Sequence, residues 1–135
     1  METEKEIKVI EQKPQFVERL GAIACHASIF MGLSLIVPLV LVLCVNKDKN
    51  YFVYRHAKQA FVYQAVMIVS IMTGFAVWLL YAANLTGGYV VIAALLQALA
   101  GFAVVSLLFL VFVLVAIIKA ALGKPYTYPF LGRFN

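Results

Sequence analysis

The sequence predicts an all-α integral membrane protein folded as a compact helical bundle. The chain has 135 residues, of which 64% are hydrophobic, and its mean hydropathy of +0.97 is far above that of soluble domains. Three apolar blocks contain no Asp, Glu, Lys or Arg: Leu20–Val45, Ala60–Ala83 and Tyr89–Ile118. Each block exceeds the roughly 18 to 20 residues that a helix needs to cross a bilayer. The composition therefore excludes an ordinary soluble domain.

The apolar blocks divide the chain into three parts. We expect a polar N-terminal tail at 1–15, a single transmembrane helical domain at 16–122 and an interfacial C-terminal tail at 123–135. The first block does not have the pattern of a cleavable signal peptide, because a polar segment that carries five glutamates precedes it instead of a short basic region. We therefore expect the N-terminus to be retained.

The first apolar block permits two structures. It could form a short helical hairpin that turns near Gly32-Leu33-Ser34, or one tilted helix kinked at Pro38. The hairpin places all eleven basic residues on one side of the membrane, as the positive-inside rule favours, but its two helices are short for a bilayer. Pro38 suits the start of the second helix, where a missing N–H costs nothing. The charge rule favours the hairpin, and the single kinked helix stays the alternative.

The second and third blocks predict a long antiparallel helical hairpin. Only the segment Asn84-Leu-Thr-Gly-Gly88 separates them, and its two glycines can adopt the positive φ of a tight turn. The third block is longer than a bilayer requires, so we expect its helix to tilt or to project from the surface.

A polar stripe interrupts the apolar pattern at the start of the helix predicted for the second apolar block, in the stretch FVYRHAKQAFVYQ (52–64). At 100° per residue, a narrow wedge of the helix contains five residues, namely His56, Gln59, Tyr63, Ser70 and Gly74. The stripe could be a hydrogen-bonded seam between helices or a groove for a ligand or polypeptide. We expect the seam for Gln59 and Tyr63, and a surface-facing role in contact with phosphate or a partner for Arg55 and His56.

His26 is the only ionisable Asp, Glu, Lys, Arg or His residue inside an apolar block. Such a residue is a functional candidate, although one hydrogen bond to a backbone carbonyl would also satisfy it.

Cys25 and Cys44 lie too far apart for a zinc motif, and we expect both to be buried as small apolar side chains. The sequence has no pair of carboxylates in the membrane, no nucleophile triad and no phosphate loop. It predicts no enzyme, no catalytic residue, no cofactor and no metal site.

Cations and tyrosines are expected at the membrane surface. Amphipathic rings and long cationic side chains favour the headgroup level. The predicted interfacial residues are Lys58, Lys119, Lys124, Tyr126, Tyr128 and Arg133. Because the basic residues flank apolar segments and form no separate patch, the net charge of +5 predicts contact with membrane lipid and no nucleic-acid binding.

Several short motifs carry a family resemblance that runs from Glu18 to Arg133. They are Glu18-Arg19-Leu20, ACHAS (24–28), VPLV (37–40), NKDK (46–49), YFVYRHAKQA (51–60) and the ending from Lys119 to Arg133. In combination they resemble a small bacterial membrane family of unknown function, distantly related to the twenty-kilodalton subunit of the chloroplast inner-envelope translocon (Tic). The resemblance implies a helix-rich protein with cytoplasmic termini, in which His26, His56 and Gln59 occupy recurrent positions. It brings no catalytic residues.

Two functional hypotheses follow. The first is a non-enzymatic membrane scaffold or assembly subunit, with a role in protein translocation or insertion as the plastid relative suggests. The second is a small homo-oligomeric channel or transporter, which is less favoured because Ser70, Thr73 and Gln97 supply little polar lining. Either hypothesis implies other membrane-protein subunits or self-association. We expect the bacterial inner membrane as the location, with the basic loop and the C-terminus in the cytoplasm.

Overall fold

A computed structural model describes residues 13–85 and 87–129, and over these residues the protein is all-α. Four α-helices and one short 3₁₀ helix follow one another within these residues. They are α1 (Phe16–Ala27), the 3₁₀ helix (Ser28–Met31), α2 (Ile36–Cys44), α3 (Tyr51–Ala82) and α4 (Gly88–Ala121). The predicted fold class is confirmed, with a short N-terminal helical pair followed by two long apolar helices.

The first apolar block forms two short helices that contact each other, which is the hairpin of the two alternatives. At the start of α1, the backbone N–H of Gln15 donates to the Glu18 carboxylate at 2.7 Å, as in a capping box. The chain reverses at Gly32, whose φ of 73° is left-handed. Pro38 lies in the first turn of α2, where its missing N–H removes no helical hydrogen bond.

Ser28 forms hydrogen bonds with backbone carbonyl groups that the break between α1 and α2 leaves without helical partners. Its hydroxyl oxygen lies 2.8 Å from the Cys25 carbonyl and 3.3 Å from the Ser34 carbonyl. The N–H of Leu33 donates to the Ser28 carbonyl at 3.1 Å. Irregular backbone at membrane depth is tolerated only where protein or water covers it, and these bonds supply that cover.

The two long helices α3 and α4 are the membrane-spanning candidates among the described residues. With 32 and 34 residues they are about 48 and 51 Å long, which exceeds the roughly 30 Å of the hydrocarbon core. A short turn joins them, in which the Asn84 side-chain amide donates to the Leu80 carbonyl at 2.7 Å and Gly87 has a φ of 103°. The predicted tight turn is therefore present, since its described residues have this geometry.

The chain divides into two compact units, and both long helices contribute to each. The first unit contains α1, α2, the beginning of α3 to Ala65, the end of α4 from Val113 and the C-terminal segment. Its apolar core is made of small side chains on different helices, with Cys25, Ala57 and Ala60 at the centre. A Cβ added at Gly21 would lie 3.4 Å from the Val53 side chain, which shows how closely α1 approaches α3.

The second unit spans Val66–Phe112 and is an antiparallel helical pair. The indole N–H of Trp78 donates to the Ala94 carbonyl at 3.4 Å, which sets these two residues at the same level. Ala94 is buried, whereas most large apolar side chains of this unit are exposed, as lipid contact requires.

The C-terminal segment leaves α4 through a close-packed glycine. Gly123 has a φ of 68°, its N–H donates to Ala120, and the N–H of Lys124 donates to Lys119, which is the hydrogen-bond pattern of a Schellman motif. A Cβ at Gly123 would lie 2.9 Å from the Pro14 ring and 3.1 Å from Arg19 Nε. Arg19 in turn donates to the Pro14 carbonyl, so these three residues join the two ends of the first unit.

Replacing Gly123 with Ala should destabilise the protein more than the same change at Gly32. Both glycines have similar left-handed φ values, so each variant loses about 1 to 2 kcal/mol from backbone strain. Only Gly123 has neighbours within 4 Å of the added methyl group, and overpacking adds about 1 to 3 kcal/mol. Thermal unfolding in detergent compares the two variants, and equal losses would show that the contact with Pro14 and Arg19 is unimportant.

Candidate functional site

A cluster of buried polar side chains lies inside the first unit. We call it the polar cluster, and it consists of His26, His56, Gln59, Tyr63, Gln64 and Tyr128. Each of these residues is at most 4% exposed. The cluster draws on three parts of the chain, since α1 supplies His26, α3 supplies the residues from His56 to Gln64, and the C-terminal segment supplies Tyr128. Most buried polar groups in proteins are hydrogen-bonded, so these side chains are expected to bind one another or nearby polar groups.

A chain of hydrogen bonds joins the two histidines to Tyr128. The Tyr128 hydroxyl lies 3.0 Å from His26 Nδ1, and His26 Nε2 lies 3.0 Å from His56 Nδ1. If Tyr128 donates to His26, then His26 donates to His56; if the direction is reversed, His56 donates to His26 and His26 donates to Tyr128. Either direction uses both ring nitrogens of His26, so this residue connects α3 to the C-terminal segment.

The second ring nitrogen of His56, Nε2, is buried and makes no hydrogen bond. The ring also packs on Phe52, with 4.6 Å between centroids, so apolar and aromatic contacts hold it in place.

Aromatic stacking fixes Tyr128 against α3. The rings of Tyr63 and Tyr128 are stacked, with 3.8 Å between centroids and 9° between planes, and Tyr126 meets Tyr128 edge-on at 4.9 Å. Burial, followed by the neighbouring phenols, raises the pKa of Tyr128, so its hydroxyl stays neutral and can act as a donor. Burial likewise raises the pKa of Tyr126. The C-terminal segment is therefore held by a neutral, buried aromatic residue.

Two glutamine amides extend the polar cluster. Gln64 Nε2 donates to the Cys25 carbonyl at 3.1 Å, which binds α3 to α1 near the break in the first block. Gln59 Nε2 lies 3.5 Å from the Thr127 hydroxyl, and Arg55 Nη2 lies 3.4 Å from the same oxygen. The Oε1 atoms of both glutamines are buried without a hydrogen bond. Thr127 is thus a second point, beside Tyr128, at which the C-terminal segment contacts α3.

The structure brings most of the predicted site residues together, but it changes three assignments. His26, Gln59 and Tyr63 lie at the helix contacts, as a seam requires, and His26 binds side chains instead of a backbone carbonyl. The surface-facing role predicted for His56 is wrong, because this residue is 1% exposed and bound to His26. The interfacial position predicted for Tyr128 is wrong for the same reason, since its ring is 1% exposed.

The polar stripe is shorter than predicted. Ser70 and Gly74 are exposed in the second unit, so they do not continue the buried seam. Gln64 was not among the predicted site residues because it lies outside the wedge that contains His56, although it is fully buried and bound to Cys25. Its amide within an apolar block was the signal that could have found it.

The predicted surface cations have mixed environments. Arg55, Lys58 and Lys119 are partly buried, Lys124 is exposed, and Tyr126 is partly buried; Arg133 lies outside the described residues.

Cys25 is buried and donates to the Gly21 carbonyl, but Cys44 is exposed, so its predicted burial is wrong. Within residues 13–85 and 87–129, no group of three or more His, Cys, Asp or Glu side chains could hold a metal ion. Chemically, the polar cluster joins three segments of the first unit through hydrogen bonds.

Comparison with known families decides which group of membrane proteins this chain represents. The model of the MamF/MmsF family, the magnetosome magnetite crystal formation protein family, matches residues 17–135. The chain belongs to this family. The match covers the membrane helices and the C-terminal segment, so the MamF/MmsF assignment applies to nearly the whole chain. No curated protein and no solved structure matches the sequence.

Membership of the MamF/MmsF family corrects the resemblance drawn from the short motifs. The motifs suggested a family related to a chloroplast translocon subunit, and that identification is wrong, because the matching family model is the magnetosome one. The predicted role in protein translocation or insertion rested on that resemblance alone and is therefore no longer supported. Two long apolar helices and the family together describe a membrane protein.

Proposed function

We propose that the chain is a non-enzymatic scaffold or assembly subunit of a membrane in which magnetite crystals form. The observation that carries this proposal is the match of the magnetosome magnetite crystal formation family over residues 17–135. A scaffold influences crystal formation by holding other components in the membrane, and it needs a stable fold and exposed surfaces for contact.

The polar cluster supports a structural role for its members. Both ring nitrogens of His26 and the hydroxyl of Tyr128 are engaged with other side chains of the same unit. The amide of Gln64 is bound to the backbone of α1. Groups committed to internal hydrogen bonds stabilise one arrangement of helices, which is what a scaffold requires.

Charge distribution supports one orientation in the membrane. With α3 and α4 as the spans and the first block as a hairpin, the basic loop at 46–50 and the residues directly after α4 lie on the same side, whereas the turn near Gly87 carries no basic residue. The positive-inside rule then places the basic side in the cytoplasm of a bacterial cell. The turn between the long helices faces the other side of the membrane.

Crystal formation in cells tests the scaffold proposal. In a magnetite-forming host that lacks this chain, we expect electron microscopy to show altered crystal size or number, and the wild-type chain should restore both. The double variant His26→Leu/His56→Leu should also restore them if it reaches the membrane folded, because a scaffold does not use imidazole chemistry.

Two outcomes would contradict the scaffold proposal. Normal crystals in the absence of the chain would remove any role in crystal formation. A folded, membrane-inserted double variant that fails to restore crystals would show that the histidines take part in crystal formation directly, beyond the internal hydrogen bonds assigned to them here. Circular dichroism of the purified variant and its amount in isolated membranes are the controls, because they separate loss of folding from loss of function.

A further inference from the structure

The short hairpin of α1 and α2 accompanies the long helices through only part of a bilayer. The Cys25 carbonyl of α1 accepts a hydrogen bond from Gln64, and no residue of α3 after Gln64 is buried. Gln64 lies six residues, or about 9 Å, beyond Lys58, the last charged residue of α3. One leaflet supplies about half of a hydrocarbon core that is roughly 30 Å thick. The hairpin is therefore as deep as about one leaflet.

Helix α4 gives the same depth independently. Its only charged residue is Lys119, and the first unit includes α4 only from Val113. These two residues are six positions apart, which is again about 9 Å along the helix. The part of α4 that belongs to the first unit is therefore also short enough to lie in one leaflet.

The outer surface of the hairpin is suited to acyl chains. Met31, Ile36 and Leu43 are each more than half exposed, and none of them is polar. The loop that follows α2 carries the exposed cations Lys47 and Lys49, which suit the level of the lipid phosphates. Apolar side chains next to cations of this kind are typical of a segment that is embedded in one leaflet.

We propose that this chain prefers strongly curved membranes, with the first unit in the leaflet on the convex side. The first unit contains segments of four helices, and the second contains segments of two. Because neighbouring helices pack about 8 to 10 Å apart, the hairpin adds on the order of 150 Å² of protein to the leaflet that holds it. Added area in one leaflet is accommodated with least strain where that leaflet is the larger one, which is the outer leaflet of a small vesicle.

The curvature preference goes beyond the scaffold proposal, and it uses only the membrane location of α3 and α4. With the orientation proposed above, the first unit lies in the cytoplasmic leaflet. That leaflet is the convex one on a small membrane compartment inside the cell. The chain therefore concentrates on such compartments and stabilises their curvature.

Partitioning between liposomes of two sizes tests the curvature preference. The full-length chain is reconstituted into vesicles of one lipid composition, with diameters of about 30 nm and about 200 nm, which are then separated by gel filtration. We expect the protein-to-lipid ratio to be roughly twofold or more higher on the small vesicles. Trypsin added outside cleaves the exposed loop at Lys47 and Lys49 only where the first unit faces outward. The cleaved fraction should also be higher on the small vesicles.

Two triple variants with the same residue types test which leaflet matters. Met31→Ala/Ile36→Ala/Leu43→Ala removes exposed volume from the hairpin, so it should lower the enrichment on small vesicles. Met72→Ala/Leu80→Ala/Ile92→Ala removes similar volume from exposed positions of the second unit, so it should leave the enrichment unchanged or raise it. All six side chains are exposed, so both variants should fold, and circular dichroism verifies this.

Three results would overturn the curvature preference. They are equal protein-to-lipid ratios of the wild type on both vesicle sizes, an equal cleaved fraction on both sizes, and equal losses of enrichment in the two triple variants. The liposomes contain no crystals, so these results leave the scaffold proposal to its own test in cells.

Discussion

Truncation of Tyr128 to alanine should be one of the most destabilising single changes in this protein, at about 3 to 5 kcal/mol of the free energy of unfolding. The change removes a ring that is 1% exposed and stacked on Tyr63, and it leaves His26 Nδ1 without its hydrogen bond. Tyr128→Phe retains the stacked ring and loses only the hydroxyl, so it should cost about 1 to 3 kcal/mol. Unfolding in mixed detergent micelles measures both variants.

An exposed tyrosine is the control for the loss of stability, and proteolysis tests separately whether Tyr128 holds the C-terminal segment against α3. Tyr89 is 92% exposed, so Tyr89→Ala should change stability by about 0.5 kcal/mol or less. Chymotrypsin should cleave after Tyr126 faster in Tyr128→Ala than in the wild type, because the segment is no longer held against α3. Similar stability of Tyr128→Ala and Tyr89→Ala, or equal cleavage of Tyr128→Ala and the wild type, would contradict the buried position of this ring.

The main elements of the fold could be predicted because the bilayer imposes simple rules on a sequence. Long runs without charge identify α3 and α4, and a glycine pair between them identifies the turn. The structure of the first apolar block was harder to predict, because its length allows either one helix or two. The decisive feature is the left-handed Gly32 with Ser28 bound to the carbonyls on both sides of the break, a local geometry that hydropathy does not report.

The candidate site was predictable only where helical periodicity controls it. The period of 100° per residue places His56, Gln59 and Tyr63 on one face of α3, and all three are buried. Tyr128 is different, because it lies 102 residues from its partner His26 and in a segment whose tyrosines, prolines and cations are typical of a membrane surface. Composition describes the average environment of a segment, whereas the burial of one ring depends on a distant contact.

The length of the neighbouring helices explains why the buried stripe ends near Tyr63. Helix α1 has 12 residues and α2 has 9, or about 18 and 14 Å, so each can accompany only part of a 32-residue helix. The periodicity that relates Ser70 and Gly74 to His56 continues along α3 regardless of what packs against it. Periodicity therefore identifies a face, and the partners decide how much of that face is buried.

A double-mutant cycle on the two histidines should show that they act as one structural unit. His26→Leu leaves both the Tyr128 hydroxyl and His56 Nδ1 unpaired, so we expect a loss of about 2 to 5 kcal/mol. His56→Leu leaves only His26 Nε2 unpaired and also removes the unsatisfied Nε2 of His56, so its loss should be smaller, at about 1 to 3 kcal/mol.

The double variant His26→Leu/His56→Leu should be more stable than the sum of the two single losses predicts, by about 0.5 to 3 kcal/mol, because removal of both partners leaves fewer buried groups unpaired. Unfolding in mixed micelles gives the three free energies, and co-purification from gently solubilised membranes gives the partners of each variant. Strictly additive losses would show that the bond between the imidazoles is not formed. If His56→Leu kept wild-type stability but lost its partners, His56 would be a binding residue and not a member of an internal seam.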